Sequence, residues 1–296
     1  MAEERALSRQ EKIWKGTGVF WYAIRPLLLY LLLPSAISGL VVVITKSKGN
    51  LDRFVQNSGQ FYRTLGIVLT FYLLRRRCKK RGETIWNETG LYVRDISLKK
   101  MALLLAAGAG FSLFISAVLT VIPFPRFLIS PYRAQSSEIY GRVDTGLAIL
   151  SVMLLAPVVE EMVFRGYVLN RLLQGYGSTK AAVLICTAIF AFCHGTPLWM
   201  IYAVVMGLLM AHVSLIEDNI IYSIAFHMGY NAVTLPLWIV NRSEQLSGIF
   251  FASPVLISVY GIIGIATALL CMRAYPMSVH DLTVYLPRLS KKEEIL

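Results

Sequence analysis

The sequence predicts an all-α, polytopic membrane protein: a bundle of about eight transmembrane helices around an intramembrane polar cavity. Three observations carry that expectation. Hydrophobic residues make up 56% of the chain and charged residues only 16%, where soluble domains average roughly 45–50% and about 25%. The apolar residues gather into runs that approach the ~20 residues needed to cross a bilayer. Inside one run, uncharged from Thr145 to Val159, Glu160, Glu161 and Arg165 arrive together. A charge at the bilayer centre costs roughly 2.5–3.5 kcal/mol on insertion scales, so such residues face a protein interior or a water-filled cavity.

The spans follow in order. Val19–Ile44 is the first, with Pro26 and Pro34 as expected kinks. Phe61–Leu74 is a shorter second and Leu98–Ile122 the third. A long fourth element, Thr145 to about Leu173, carries the acidic cluster, and its part after Arg165 reads as amphipathic. Ala181–His194 is the fifth and ends on a polar residue. Pro197–Leu215 is the sixth, opening on a proline suited to a first helical turn. Ile220–Val240 and Pro254–Met272 complete the set. The loop around Trp86, Asn87, Gly90 and Leu91 reads as a structured connection resting on the membrane surface.

The formal net charge is +12, but its distribution says more than its sum. Basic residues cluster at Arg75–Arg77, Lys79–Arg81, Lys99–Lys100 and both termini. They flank apolar spans, so the positive-inside rule and anionic lipid heads account for them, and no nucleic-acid partner is implied. An even number of crossings then leaves both termini cytoplasmic: residues 1–18 as an N-terminal segment, 19–272 as the bundle and 273–296 as a tail. The short loops point to a bacterial plasma membrane. Cys78, Cys186, Cys193 and Cys271 form no CxxC pair, so neither a disulfide framework nor a zinc knuckle is expected. Cys193 is read as a packing residue.

Within the spans, Glu161 and Arg165 are four apart on a helix and can pair. That leaves Glu160 as an unpaired carboxylate in a poorly solvated setting, which suits a general base; a buried ion network locking the helix is the structural alternative. His194 follows Phe190 by four residues, and alone would read as an interfacial cap. His227 and Asn231 lie one turn apart and present an imidazole N–H and an amide NH₂. Two donors aimed at one point make an oxyanion hole; interhelical hydrogen bonding is the plainer reading. His212 and His280 read as interfacial and tail residues.

Three segments carry a resemblance. Ala156 to Gly166, with Glu160-Glu161 and Arg165, resembles the EExxxR motif of the CAAX protease and bacteriocin-processing (Abi) family. Phe190-Ala-Phe-Cys-His194 is similar to its FxxxH motif, and His227-Met-Gly-Tyr-Asn231 to its HxxxN motif, in the family's order. The resemblance covers about Leu147–Leu235 and implies a catalytic core at about 145–240 within an eight-helix bundle. It implies that Glu160 and His194 activate a water, that His227 and Asn231 stabilise the oxyanion, and that Glu161 and Arg165 support the site. The substrate it implies is a hydrophobic or membrane-anchored peptide or protein in the bilayer.

Two rivals stand beside that reading. A catalytically silent immunity or scaffold protein would keep the fold without the reaction. A transporter would also place Glu, Arg and His in the membrane, but the inverted repeat or paired broken helices expected of one are not visible. No cofactor is expected. Glu160, His194 and His227 could supply a zinc site, but the HExxH spacing is missing, and a glutamate-activated water is preferred.

Overall fold

The computed structural model describes residues 9–46, 51–93, 96–140, 146, 149–176 and 178–275. Helix α1 (Arg9–Lys46) runs through Pro26 and Pro34 without a break. Helix α2 (Leu51–Lys80) carries Arg77, Lys79 and Lys80 in its last turn, where cations meet the negative end of the helix dipole. Helix α3 (Ile85–Thr89) is the structured connection: the Thr84 hydroxyl accepts from the Asn87 amide, and Gly90 closes the turn at φ 68°. Then come α4 (Leu98–Val121) and α5 (Arg126–Tyr140).

The motif-bearing element is a chain of four pieces. A π-helical stretch (Ile149–Leu155) leads into α6 (Ala156–Glu161), a second π-helical stretch (Met162–Leu169) and α7 (Asn170–Tyr176). Helices α8 (Thr179–Phe192), α9 (Pro197–Glu217), α10 (Ile221–Arg242), α11 (Glu244–Phe250) and α12 (Pro254–Ala274) follow. The described residues contain no strand.

Some expectations need correction. The described helical segments outnumber eight, because the fourth span is broken and α3, α5 and α11 lie between spans. Among the described residues four helices are long and apolar enough to cross a membrane by length and composition: Thr17–Val41, Leu98–Val121, Pro197–Glu217 and Pro254–Ala274. After Arg165 the element is buried from Gly166 to Leu169, and Asn170 and Gln174 are its first more exposed positions. The expected N-terminal segment at residues 1–8, and the tail at 276–296 with His280, lie outside the described residues.

Helix α4 is held between α10 and α12 by bare backbone. A Cβ on Gly108 would run into the Phe226 carbonyl, and one on Gly229 into the Leu105 carbonyl. Gly110 and Gly264 make the same approach between α4 and α12. Small residues let helix backbones approach closely, which in lipid is where packing energy comes from. At one end of the bundle Lys100 Nζ meets both oxygens of Glu217 at 2.8 and 2.9 Å. Tyr275, just past α12, donates to the same carboxylate at 2.7 Å. Burial and that negative neighbour hold its phenol above the usual tyrosine range.

At 1.5 Å per residue α8 is about 21 Å long, short of a ~30 Å hydrocarbon core. It stops at Phe192, the chain turns through Gly195 at φ 83°, and α9 begins on Pro197. His194 therefore sits in a turn between two helices of the bundle.

Candidate active site

Glu161 and Arg165 form the buried base of the site. Arg165 Nη1 donates to Glu161 Oε1 at 2.7 Å, with the two side chains 1% and 0% exposed. Arg165 Nη2 reaches the Gly207 carbonyl on α9 at 3.3 Å. The guanidinium lies 4.4 Å from the centre of the Phe190 ring. This is the pair the spacing predicted, with a stacking partner added.

Glu161 Oε1 also faces His227 Nδ1 at 3.1 Å. An ionised carboxylate only accepts, so Nδ1 carries the hydrogen there. That turns His227 Nε2 towards Glu160, whose Oε2 is 3.8 Å away. Glu160 itself is half-buried, and its Oε1 accepts a hydrogen bond from the Tyr30 hydroxyl at 2.6 Å. Glu160, left out of the Glu161–Arg165 pair, thus has a neutral donor from α1.

His194 Nδ1 lies 2.7 Å from the Phe190 carbonyl. A carbonyl cannot donate, so Nδ1–H does, and the neutral ring keeps its lone pair on Nε2. The spacing of FxxxH now has a physical meaning. The Phe190 backbone fixes the His194 tautomer, and its ring, fully buried, lies 4.5 Å from the His194 ring and edge-on to Phe164 at 5.0 Å. Gln135 on α5 completes the hold by donating from Nε2 to the His194 carbonyl at 3.0 Å.

Asn231 Nδ2 donates to the Val152 carbonyl at 2.9 Å. Val152 lies in the first π-helical stretch. In the second, Asn170 Nδ2 donates to the Gly166 carbonyl at 2.9 Å and Cys186 Sγ to the Phe164 carbonyl at 3.3 Å. Polar side chains thus bond to carbonyls along both stretches of widened helix, which recur at functional sites.

Glu160, His194, His227 and Asn231 line one cavity of about 680 Å³, while Glu161 and Arg165 lie behind it. Aromatic walls come from Tyr30, Tyr132, Trp199 and Tyr202, and Cys193 borders the same space. Its size falls within the roughly 300–1,000 Å³ usual for ligand sites. Among the described residues no group of three or more His, Cys, Asp or Glu is spaced to hold a metal ion. All six residues singled out from the sequence are thus in or directly behind one site.

Residues 143–233 match the family model described as type II CAAX prenyl endopeptidase Rce1-like. The chain carries an Rce1-like domain. The matched segment contains all three motifs and leaves α1 to α5, α11 and α12 outside. That segment is similar to a family of proteases, and the four apolar helices agree with an integral membrane protein. No curated protein and no solved structure gave a match.

Three contributors were not found by sequence reading. Tyr30 had no signal in a helix rich in leucine. Tyr132 and Gln135 lie in a stretch assigned to no span, and the available signal was the placing of Leu128, Ile129, Tyr132 and Ser136 on one helical face.

Proposed function

We propose that the protein is an intramembrane endopeptidase that hydrolyses a peptide bond of a hydrophobic or membrane-anchored substrate with a water activated by Glu160. The observation that carries this reading is the convergence of Glu160 from α6, His194 from the turn after α8, and His227 and Asn231 from α10 on one cavity. Glu160 Oε2 removes a proton from the water, whose second hydrogen points to His194 Nε2. The resulting hydroxide adds to the carbonyl carbon. A doubly protonated His227 donates from Nδ1 to Glu161 and from Nε2 to the oxyanion. The second hydrogen of Asn231 Nδ2 joins it, the first being held by Val152. Collapse breaks the C–N bond, and the proton on Glu160 passes to the leaving amine.

Glu161 and Arg165 act behind the cavity, through His227. The reading assigns no metal: one carboxylate beside two imidazoles suffices for general acid–base chemistry. Both termini face the cytoplasm of a bacterial cell, on the side of the basic clusters.

The test is cleavage of a hydrophobic peptide library by the purified protein in lipid nanodiscs. Products should form with wild type and vanish with Glu160→Gln, an isosteric amide that takes no proton. Products that persist in that variant would remove Glu160 from the reaction.

A further inference from the structure

We infer that Tyr30, on a helix outside the family-matched segment, is the positioning residue of the base: its phenol fixes which oxygen of Glu160 reacts. The inference rests on the endopeptidase reading. The two oxygens of Glu160 have unlike surroundings. Oε1 accepts the Tyr30 hydroxyl at 2.6 Å. Hydrogen bonds of that length to a carboxylate are among the stronger ones in proteins. Oε2 faces His227 Nε2 at 3.8 Å, beyond hydrogen-bonding distance. A carboxylate held at one oxygen cannot swing about its last bond, so the plane of its other lone pairs is set. Oε2 is left to meet a water.

Helix α1 is fastened on both sides of Tyr30. Eight residues before it, the Tyr22 carbonyl accepts from Arg171 Nη1 at 3.0 Å, and the same guanidinium lies 4.2 Å from the Tyr22 ring centre. Arg171 is itself held by Glu88 of α3 at 3.2 Å. Four residues after Tyr30, Pro34 fills the place where a Cβ of Gly66 on α2 would lie. These anchors lie about 12 Å and 6 Å along the helix from Tyr30. They leave α1 little freedom to slide, so the phenol is delivered at a fixed height. Tyr30 also lines the cavity, which places its hydroxyl at the reacting centre rather than in the packing around it.

The experiment compares wild type with Tyr30→Phe, which keeps the ring and removes only the hydroxyl. In nanodiscs kcat should fall about ten- to hundredfold, the worth of a hydrogen bond to a charged group, with KM and melting temperature unchanged. Wild-type kcat in the variant overturns the inference, and so does a raised KM at constant kcat, which would make Tyr30 a substrate contact. A second measurement needs no turnover: carbodiimide labelling of Glu160, read by peptide mass spectrometry. Freed of the phenol, Glu160 should label severalfold faster in Tyr30→Phe, and equal rates overturn the inference even if the variant is unstable. Inactive wild-type protein with faster labelling in the variant would defeat the endopeptidase reading while leaving Tyr30 in place as the partner of Glu160.

Discussion

Replacing Arg165 with alanine tests whether the buried pair holds the site together or acts in the reaction. The guanidinium is 1% exposed and makes three kinds of contact: Glu161 at 2.7 Å, the Gly207 carbonyl at 3.3 Å and the Phe190 ring at 4.4 Å. Removing it leaves the 0% exposed Glu161 without its guanidinium, facing His227 and Ser223. Breaking a buried pair from one side costs about 3–5 kcal/mol, because the remaining charge has lost its countercharge and has no solvent. The lost stacking on Phe190 adds to this, a desolvated cation–π contact being worth about 2 kcal/mol. The two overlap, so about 3–5 kcal/mol is the expected loss. Denaturant titration in detergent micelles, followed by tryptophan fluorescence, measures it. Arg165→Lys should recover only part, since an ammonium cannot stack on Phe190 and fork to two acceptors at once. A loss within about 0.5 kcal/mol, the range of an ordinary surface change, would refute the reasoning and make Arg165 a participant in turnover.

Other expectations can be checked in the same preparations. Glu160→Gln should melt like wild type and show no hydrolysis; a large drop in melting temperature would mean that Glu160 is structural. Asn231→Ala should reduce kcat about 10²–10³-fold with little change in KM, as loss of one oxyanion donor does. Should KM rise instead at constant kcat, α10 grips the substrate. Gly108→Ala should lower stability by about 1–3 kcal/mol through overpacking, since its Cβ would meet the Phe226 carbonyl; unchanged denaturation would show that α4 and α10 can separate freely. Elemental analysis of active protein should find no stoichiometric zinc, and chelators should leave turnover intact. One zinc per chain, lost together with activity in His194→Ala, would reverse the choice of mechanism.

The motif residues were legible because each pairs a costly polar group with an apolar frame and a helical spacing. Glu161 and Arg165 at four residues make the bond that the spacing allows. The spans were legible where apolar runs were long, as in α4, α9 and α12. The rest was hidden for definite reasons. Residues 123–140 fall in no expected span, since Pro123, Pro125 and Pro131 interrupt the apolar pattern, yet α5 forms with Pro131 inside it. The two π-helical stretches carry no compositional mark, and they are stabilised by donors from distant residues such as Asn231. Tyr30 meets Glu160 across 130 positions of sequence, and no local pattern encodes such a contact. The same holds for Asn231, whose spacing from His227 showed a shared face but not that Val152 would take one of its hydrogens.

The order in which the chain leaves the ribosome gives the Glu161–Arg165 pair another consequence, for biogenesis. The Gly207 carbonyl comes 42 residues after Arg165, and His227 comes 66 residues after Glu161. At about 5–20 residues per second, the nascent segment waits several seconds before either is made. Its own pair spans one turn, so the two charges can neutralise each other while still in the insertion machinery and lessen the penalty of lodging in lipid. Tyr30 has left the ribosome before Glu160 appears, whereas Arg171, which fastens α1, follows Glu160 by eleven residues. A nascent chain arrested just after Tyr176 should therefore already integrate its motif-bearing segment, and replacing Arg165 should make that same intermediate slip back out.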